Sequence, residues 1–125
     1  MKQLKIIDNN LIETWSFYND SLFNLVESGI KTATCYLSSG EEFVEKFSIL
    51  KSASGKQLKL ETISAYELEF CEVTEQLAAL EGEGDLSLSY WQAEHERFFL
   101  TELKQQGLKF NKNVKLVFEI FKVVE

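Results

Sequence analysis

The chain has 125 residues, of which 45% are apolar, and its formal net charge is -7. This composition is too apolar for a disordered tail, and the length predicts a single domain, residues 1–125. The shortage of cations argues against tight, nonspecific nucleic-acid binding, and no apolar run approaches the roughly 20 residues of a membrane span.

The N-terminal segment and the cysteines favour a cytoplasmic protein. The apolar stretch after Met1 breaks at Asp8, so it is too short for the core of a secretory signal. Cys35 and Cys71 lack the spacing of metal ligands, and we expect free thiols without a chemical role. The sequence therefore predicts a cytoplasmic location, no metal and no other cofactor.

The charge is distributed unevenly along the chain. Between Leu60 and Glu96 all charged side chains are acidic, whereas cations dominate from Arg97 onward. We interpret this pattern as one acidic and one basic solvated face, and a local basic groove is the alternative.

The first half of the chain predicts one helix and then strands. Asp20 is in a position to cap a helix over residues 21–28, which Gly29 would end. Residues 32–37 follow as a strand, and residues 47–51 and 57–63 form a predicted hairpin. Residues 66–70 would extend the sheet.

The second half predicts two helices and a closing strand. Thr74 would cap a helix to residue 80, and Ser87 would cap a longer helix to about residue 106. Residues 114–124 are apolar on both faces, which is typical of a central strand in a curled sheet or barrel. The predicted class is α+β.

Two motifs, in this order, resemble the ASCH domain family. The first is the segment from Ser28 to Cys35, with its Gly-x-Lys-x-x-Thr pattern. The second runs from Glu81 to Phe99 and contains Gly-Glu-Gly-Asp, Tyr-Trp and a histidine. The resemblance covers nearly the whole chain.

The resemblance implies a PUA-like fold, a small β-barrel of mixed strands with flanking helices, and a link to RNA or nucleoside binding. Some small bacterial members are amidohydrolases of N4-acetylcytidine, so the expected partner is a cytidine-type nucleoside or RNA, with no membrane. The first hypothesis is hydrolysis of an N4-acyl amide. A noncatalytic RNA-binding or regulatory module is the alternative, and a ribonuclease is third.

The resemblance assigns catalytic roles to three residues. Thr34 would be the nucleophile, Lys31 the base that activates it, and Glu83 the acid or orienting group. A lysine base must be neutral, yet a lysine titrates near ~10.4 and a nearby carboxylate favours its charged form. Because side chains three apart on a strand face opposite ways, Lys31 must lie in the turn after Gly29 to reach the Thr34 face.

Other residues of the two motifs have both a ligand-binding and a structural interpretation. Four are candidates for ligand contacts: Thr32, Asp85, Tyr90 and Arg97. Tyr90 would stack on a base, and Arg97 would reach a phosphate. Asp85 is equally explained by the positive end of the following helix, and Lys31 by capping the helix before it. His95 and Trp91 lie on the apolar helix stripe and favour the core.

Overall fold

The structure is a computed structural model that describes residues 1–124. These residues form eight strands: β1 (Lys2–Gln3), β2 (Lys5–Ile7), β3 (Glu13–Trp15), β4 (Ala33–Leu37), β5 (Phe43–Glu45), β6 (Phe47–Lys51), β7 (Gln57–Glu69) and β8 (Lys115–Val124). They also form three α-helices, α1 (Asp20–Glu27), α2 (Glu75–Leu80) and α3 (Leu88–Gln105), and a short 3-10 helix at Phe70–Glu72.

The main sheet is mixed and curls into a half-barrel. Its strands run in the order β3-β6-β7-β8-β4, and β1 pairs with the far end of β7. All pairs are antiparallel except β3 with β6, while β2 and β5 form a separate parallel pair. The predicted α+β class, with mixed strands and flanking helices, is confirmed.

The last strand, β8, lies between β7 and β4, as its two apolar faces predict. Leu116, Val117 and Phe118 are fully buried, so side chains on both faces of this strand pack against the rest of the protein. On its β4 side, Glu119 stands directly opposite Thr34. Two residues that are distant in sequence are thereby brought together.

Helix starts follow the capping residues of the sequence, with one correction. Thr74 accepts a hydrogen bond from the amide of Leu77, and Ser87 accepts one from the amide of Tyr90. Helix α1, however, is capped by Asn19, whose extended backbone precedes the first helical residue. The carboxylate of Asp20 instead accepts from the amide of Ala53, which ties the helix to the hairpin turn.

The strand predictions need two corrections. Residues 57–63 and 66–69 belong to one long strand, β7, because the pairing with β8 continues through a bulge between Thr62 and Ser64. Phe70, predicted as the end of the second strand, instead begins the 3-10 helix. The sequence did not indicate β1, β2, β3 and β5, because two or three residues are too few to show an alternating pattern.

Apolar side chains form three clusters, two of them large. One lies under α2 and α3 and includes Trp91, Phe99 and Phe118; the other lies under α1 and includes Phe23 and Phe121. These clusters fix the helices on the curled sheet. Within residues 1–124, no helix is long and apolar enough to cross a membrane.

Candidate functional site

Lys31 reaches the interior because the chain turns sharply at the end of α1. Gly29 adopts a φ of +82°, and the amides of Ile30 and Lys31 both donate to the carbonyl of Leu25. The backbone of Lys31 therefore caps the helix, while its side chain is 1% exposed. Lys31 lies in the turn after Gly29, where the spacing to Thr34 requires it.

Gly82 allows the second motif to come close to this turn. Its φ is +68°, and a Cβ atom there would lie 2.5 Å from the carbonyl oxygen of Ile30 and 2.9 Å from the Cα of Lys31. No other residue type fits such an approach without displacing backbone. The glycine thus lets the two residues beside it, Glu81 and Glu83, flank Lys31.

The ammonium group of Lys31 is held by three oxygens. It lies 2.8 Å from Oε1 of Glu81, 2.8 Å from Oε2 of Glu83 and 3.3 Å from the backbone carbonyl of Glu81. Burial favours a lower pKa for Lys31, but the attraction of the two carboxylates outweighs it and raises the pKa above 10.5. Lys31 is therefore an ammonium ion at neutral pH.

Glu81 is the centre of a buried hydrogen-bond network. Its Oε2 accepts from the indole N–H of Trp91, from Nε2 of His95 at 3.2 Å and from the thiol of Cys35 at 3.2 Å. Burial favours a higher pKa for Glu81, but the donors, first His95 and then Lys31, lower it to about 2. Glu81 is consequently ionised at neutral pH although it is 1% exposed.

Both nitrogens of His95 face acceptors. Nδ1 lies 2.9 Å from the carbonyl of Trp91, and Nε2 faces the carboxylate of Glu81. Burial favours a lower pKa for His95, but the hydrogen bond to Glu81 outweighs this effect and raises it. The ring also stacks on Trp91 with centroids 4.4 Å apart. Both aromatic residues thus support the network from the apolar face of α3.

Cys35, Glu81 and His95 place three possible metal ligands within 4.8 Å of one another. Each of these groups already takes part in the Glu81 network. Burial, then the charge of Glu81, raises the pKa of the Cys35 thiol well above 9.0, whereas a metal ligand must be a thiolate. The arrangement fits a hydrogen-bonded group better than a metal centre.

A cavity of about 780 Å³ opens beside this network. Lys31, Thr34 and Glu83 line it together. Aromatic side chains form much of the remaining wall: Trp15, Phe17, Tyr18, Tyr36, Phe43, Phe47, Phe98 and Phe121. The three residues to which the resemblance assigns catalysis therefore share one cavity.

The cavity wall carries a strong excess of carboxylates. Lys31 is its single lysine, and its charge is matched by Glu81 and Glu83. Eight glutamates line the wall: Glu13, Glu41, Glu45, Glu81, Glu83, Glu94, Glu102 and Glu119. An anionic ligand would meet repulsion here, whereas a neutral or cationic one would not.

Glu119 forms a second polar centre in the cavity. The hydroxyl of Tyr36 donates to its Oε2 at 2.5 Å, and that of Thr62 donates to its Oε1 at 3.2 Å. Burial raises the pKa of Glu119 above 4.5, although these two hydrogen bonds act in the opposite direction. The pKa of Glu119 is thus raised, whereas the pKa of Glu81 is lowered.

The four candidate ligand-binding residues lie elsewhere, since none of them lines the cavity. Thr32 donates its hydroxyl proton to the carbonyl of Leu80, and Asp85 accepts from the amide and hydroxyl of Ser87. Arg97 is exposed and pairs with Glu94.

Tyr90, the fourth of these residues, packs over Gly84. A Cβ atom on that glycine would come within 2.5 Å of the tyrosine ring. The ring is 38% exposed. Its contact therefore shapes the loop that carries Glu83 and lies outside the cavity.

Sequence reasoning missed Glu81, Glu119 and Cys35 as parts of the site. Glu81 stands at the end of a helix and next to a glycine, so its pattern resembles an ordinary helix terminus. Glu119 alternates with apolar residues on β8, and this pattern predicts a solvent-facing side chain. A buried charge can be recognised only when its long-range partners are known.

Comparison with known proteins agrees with this fold. The ASCH domain family model matches residues 13–125. Among curated proteins, none matches the sequence significantly.

Several solved structures are similar to the chain. An ASCH domain from Lactobacillus crispatus JV V101 is 30% identical, with a TM-score of 0.80 over 90% of this chain and 79% of that one. A protein from Enterococcus faecalis V583 is 31% identical, with a TM-score of 0.75 over 90% and 76% of the two chains.

The third structure supports the fold alone. It is described as a hypothetical protein, is 14% identical, and has a TM-score of 0.59 over 91% of this chain and 100% of that one.

The family model and the Lactobacillus structure show that the chain belongs to the ASCH domain family, whose members are generally RNA-binding-like modules with a PUA-like fold.

Proposed function

We propose that this ASCH domain binds a cytidine-type nucleoside in its cavity and hydrolyses the N4-acyl amide, with Thr34 as the nucleophile. One observation carries the proposal: the 2.8 Å ion pair of Lys31 and Glu83 lies on the wall of a cavity that Thr34 also lines. An amine, a carboxylate and a hydroxyl are the groups that acyl transfer to a hydroxyl requires. The reaction would take place in the cytoplasm, where both cysteines stay free.

The size and the walls of the cavity support a nucleoside ligand. A volume of about 780 Å³ falls in the usual range for small-molecule sites. The aromatic side chains offer flat surfaces for a planar base, and the carboxylates are acceptors for its N–H groups. Tyr18 and Phe98 are 84% and 52% exposed although they line the cavity, so a ligand would cover apolar surface there.

The charge of the cavity favours a ligand without phosphate. Eight glutamates line the wall, and the single lysine is already paired. A nucleoside carries no phosphate to be repelled, whereas a nucleotide does. We therefore propose the free nucleoside as the substrate in preference to a long RNA.

The protonation of Lys31 bears on its role. Because the pKa of Lys31 is raised, the group is an ammonium ion in the resting protein and would stabilise the oxyanion that forms from the acyl carbonyl. For Lys31 to act as the base, its proton would first have to move to Glu83 along their 2.8 Å contact. Glu83, 20% exposed at its side chain, would then orient or protonate the leaving amine.

The pH dependence of turnover distinguishes these two roles of Lys31. If the ammonium is required, turnover falls as the pH rises through the pKa of Lys31, which is raised above 10.5, because the cation is lost there. If the neutral amine is the base, turnover rises over the same range. We expect the fall.

The proposed function is tested by cytidine release from N4-acetylcytidine. We expect turnover by the wild-type protein, loss of at least about 100-fold in Thr34→Val, and partial activity in Thr34→Ser, which keeps the hydroxyl. Thr101→Val, on the exposed face of α3, is the matched control and should keep wild-type activity. No turnover above the Thr34→Val background would exclude the proposal.

A noncatalytic RNA-binding module is the second candidate, and family membership favours it. Such a module would bind RNA with an affinity that falls steeply with salt, because phosphate contacts release counterions. A titration with a structured RNA at two salt concentrations measures this dependence. We expect weak binding, since the cavity itself is acidic.

A further inference from the structure

Glu119 is placed beside the proposed nucleophile by the register of the sheet. Strands β4 and β8 are antiparallel, and Thr34 is directly opposite Glu119. Side chains of directly opposed residues lie on the same face, with Cβ atoms about 4.5–5.5 Å apart. Both residues line the cavity, so the register places the Glu119 side chain beside the Thr34 side chain on the cavity face.

The carboxylate of Glu119 is oriented from both neighbouring strands. Tyr36, two residues after Thr34 and hence on the same face of β4, donates to one oxygen. Thr62 on β7 donates to the other oxygen. Each carboxylate oxygen can accept more than one hydrogen bond, so acceptor capacity remains for a further donor in the cavity.

The other charged groups near Thr34 are less suited to take its proton. Lys31 is held as an ammonium ion by two carboxylates and has no lone pair to offer. Glu81 accepts hydrogen bonds from four side chains and is 1% exposed. Glu119 is bound only by neutral hydroxyls among the described residues.

We propose that Glu119 is the general base that takes the hydroxyl proton of Thr34, directly or through one water molecule. This inference rests on the proposed function of the cavity, and Glu119 lies outside both sequence motifs.

The first half of the reaction transfers the acyl group to Thr34. The Thr34 proton passes to Glu119 as the threonine oxygen bonds to the acyl carbon, and the carbonyl π electrons move to the carbonyl oxygen, which faces the ammonium of Lys31. When the tetrahedral adduct collapses, the C–N bond breaks and N4 takes the proton from Glu119. Cytidine leaves, and the acyl group remains as an ester on Thr34.

The second half restores the protein. A water molecule attacks the ester and gives its proton to Glu119, and the ester C–O bond then breaks. The threonine oxygen recovers the proton from Glu119, and the acyl group leaves as a carboxylic acid. The net change is amide plus water to amine plus acid.

The environment of Glu119 agrees with its role as a base, because the pKa of its carboxyl group is raised above 4.5. Burial raises its pKa, and the nearby charge of Glu41, in the loop after β4, raises it further. Tyr36 and Thr62 donate hydrogen bonds that oppose the shift. Tyr36 stays a neutral donor because burial, then Glu119, raises its own pKa. A base with a raised pKa is more effective at physiological pH than an ordinary carboxylate.

Acetylation of Thr34 by p-nitrophenyl acetate tests the base without requiring nucleoside recognition. The rate is followed by intact mass, and the modified residue is located by peptide mapping. We expect Glu119→Gln to react at least about 100-fold more slowly than wild type. Glu61→Gln, a neighbouring β7 glutamate paired with Lys122 outside the cavity, is the control and should react normally.

Tyr36→Phe gives a second readout that a merely structural role of Glu119 would not change. Because the phenol hydrogen bond lowers the pKa of Glu119, its removal should move the acidic limb of the acetylation rate to higher pH. The rate at higher pH should stay close to wild type, and thermal unfolding checks that the variants are folded.

The outcomes separate this inference from the proposed function. Acetylation of Thr34 that depends on Glu119, without turnover of N4-acetylcytidine, would support the base and remove the proposed substrate. Turnover that persists in Glu119→Gln, an acetylation rate within a few-fold of wild type, an unmoved acidic limb in Tyr36→Phe, or no acetylation of Thr34 at all would overturn the role of Glu119.

Discussion

Two glutamates on the wall of one cavity have pKa values that are shifted in opposite directions. Glu81 is fully buried, accepts from Lys31, His95, Trp91 and Cys35, and has a pKa lowered to about 2. Glu119 accepts from two neutral hydroxyls, and its pKa is raised. Burial acts in the same direction on both, so the difference comes from the charge of the donors.

This difference separates a structural carboxylate from a reactive one. A group held ionised by two cations stabilises the fold and keeps Lys31 in place, but it gives up its proton-accepting capacity. A group held by hydroxyls alone retains that capacity, and its raised pKa makes it a stronger base than an ordinary carboxylate. Both side chains are glutamates, and the charge of their hydrogen-bond donors determines whether the carboxylate can accept a proton.

The largest expected effect is on stability when the two carboxylates are removed separately. Glu81→Gln should lower the free energy of unfolding by about 3–5 kcal/mol, because it leaves the buried Lys31 and His95 with an incomplete set of charges. Glu119→Gln should cost about 1 kcal/mol, since hydrogen bonds to neutral hydroxyls can be remade by an amide. Urea unfolding measures both losses, and equal losses would show that the two carboxylates contribute alike to stability.

Acid should destabilise the protein through Glu81. Its pKa is about 2 in the folded state and 4.5 ordinarily, so its contribution is complete above pH 4.5 and is lost as the pH falls towards 2. The lost stability amounts to about 3 kcal/mol. Glu119 has the opposite sign, because a raised pKa costs stability at neutral pH and this cost disappears as the pH falls through the folded value.

Unfolding free energies measured as a function of pH test this sign. Wild type should lose stability steadily between pH 4.5 and about 2. Glu119→Gln should show the same loss, because it keeps Glu81. A Glu81→Gln protein that lost the same amount over this range would contradict the assignment.

A smaller effect is expected when one donor to Glu119 is removed. Thr62→Val keeps the shape of a side chain that is 7% exposed and removes a hydrogen bond of 3.2 Å. We expect a loss of about 0.5–1 kcal/mol, the usual net contribution of one hydrogen bond. No loss in urea unfolding would mean that the hydroxyls do not hold Glu119.

The smallest effect is expected outside the cavity. Arg97 is exposed and paired with Glu94 three residues earlier on α3, and such pairs contribute little. Arg97→Ala should change stability by less than about 0.5 kcal/mol and leave the Kd of the nucleoside unchanged. A Kd that rises several-fold in calorimetry would show that Arg97 contributes to the ligand site.

Local signals made much of the fold predictable from sequence. Thr74 and Ser87 start their helices through side-chain caps, which depend on neighbouring residues alone. The hairpin of β6 and β7 and the central position of β8 follow from alternating and continuous apolar patterns. The short strands near the N-terminus depend on distant pairing and left no such pattern.

The site was only partly predictable for the same reason. The two motifs indicated that Lys31 and Glu83 meet, and in the structure they form an ion pair. The role of Glu81 depends on four side chains from three parts of the chain, and the neighbourhood of Glu119 depends on the β4–β8 register. Neither arrangement can be seen in a linear pattern.

Carboxyl carbon NMR at pH 4.5, the ordinary glutamate pKa, tests the contrast between the two glutamates most directly. At that pH we expect Glu81 to be still ionised and Glu119 to be more than half protonated. Both signals are assigned through the Glu→Gln variants. A Glu119 signal as ionised as that of Glu81, or the reverse order of titration, would contradict this expectation.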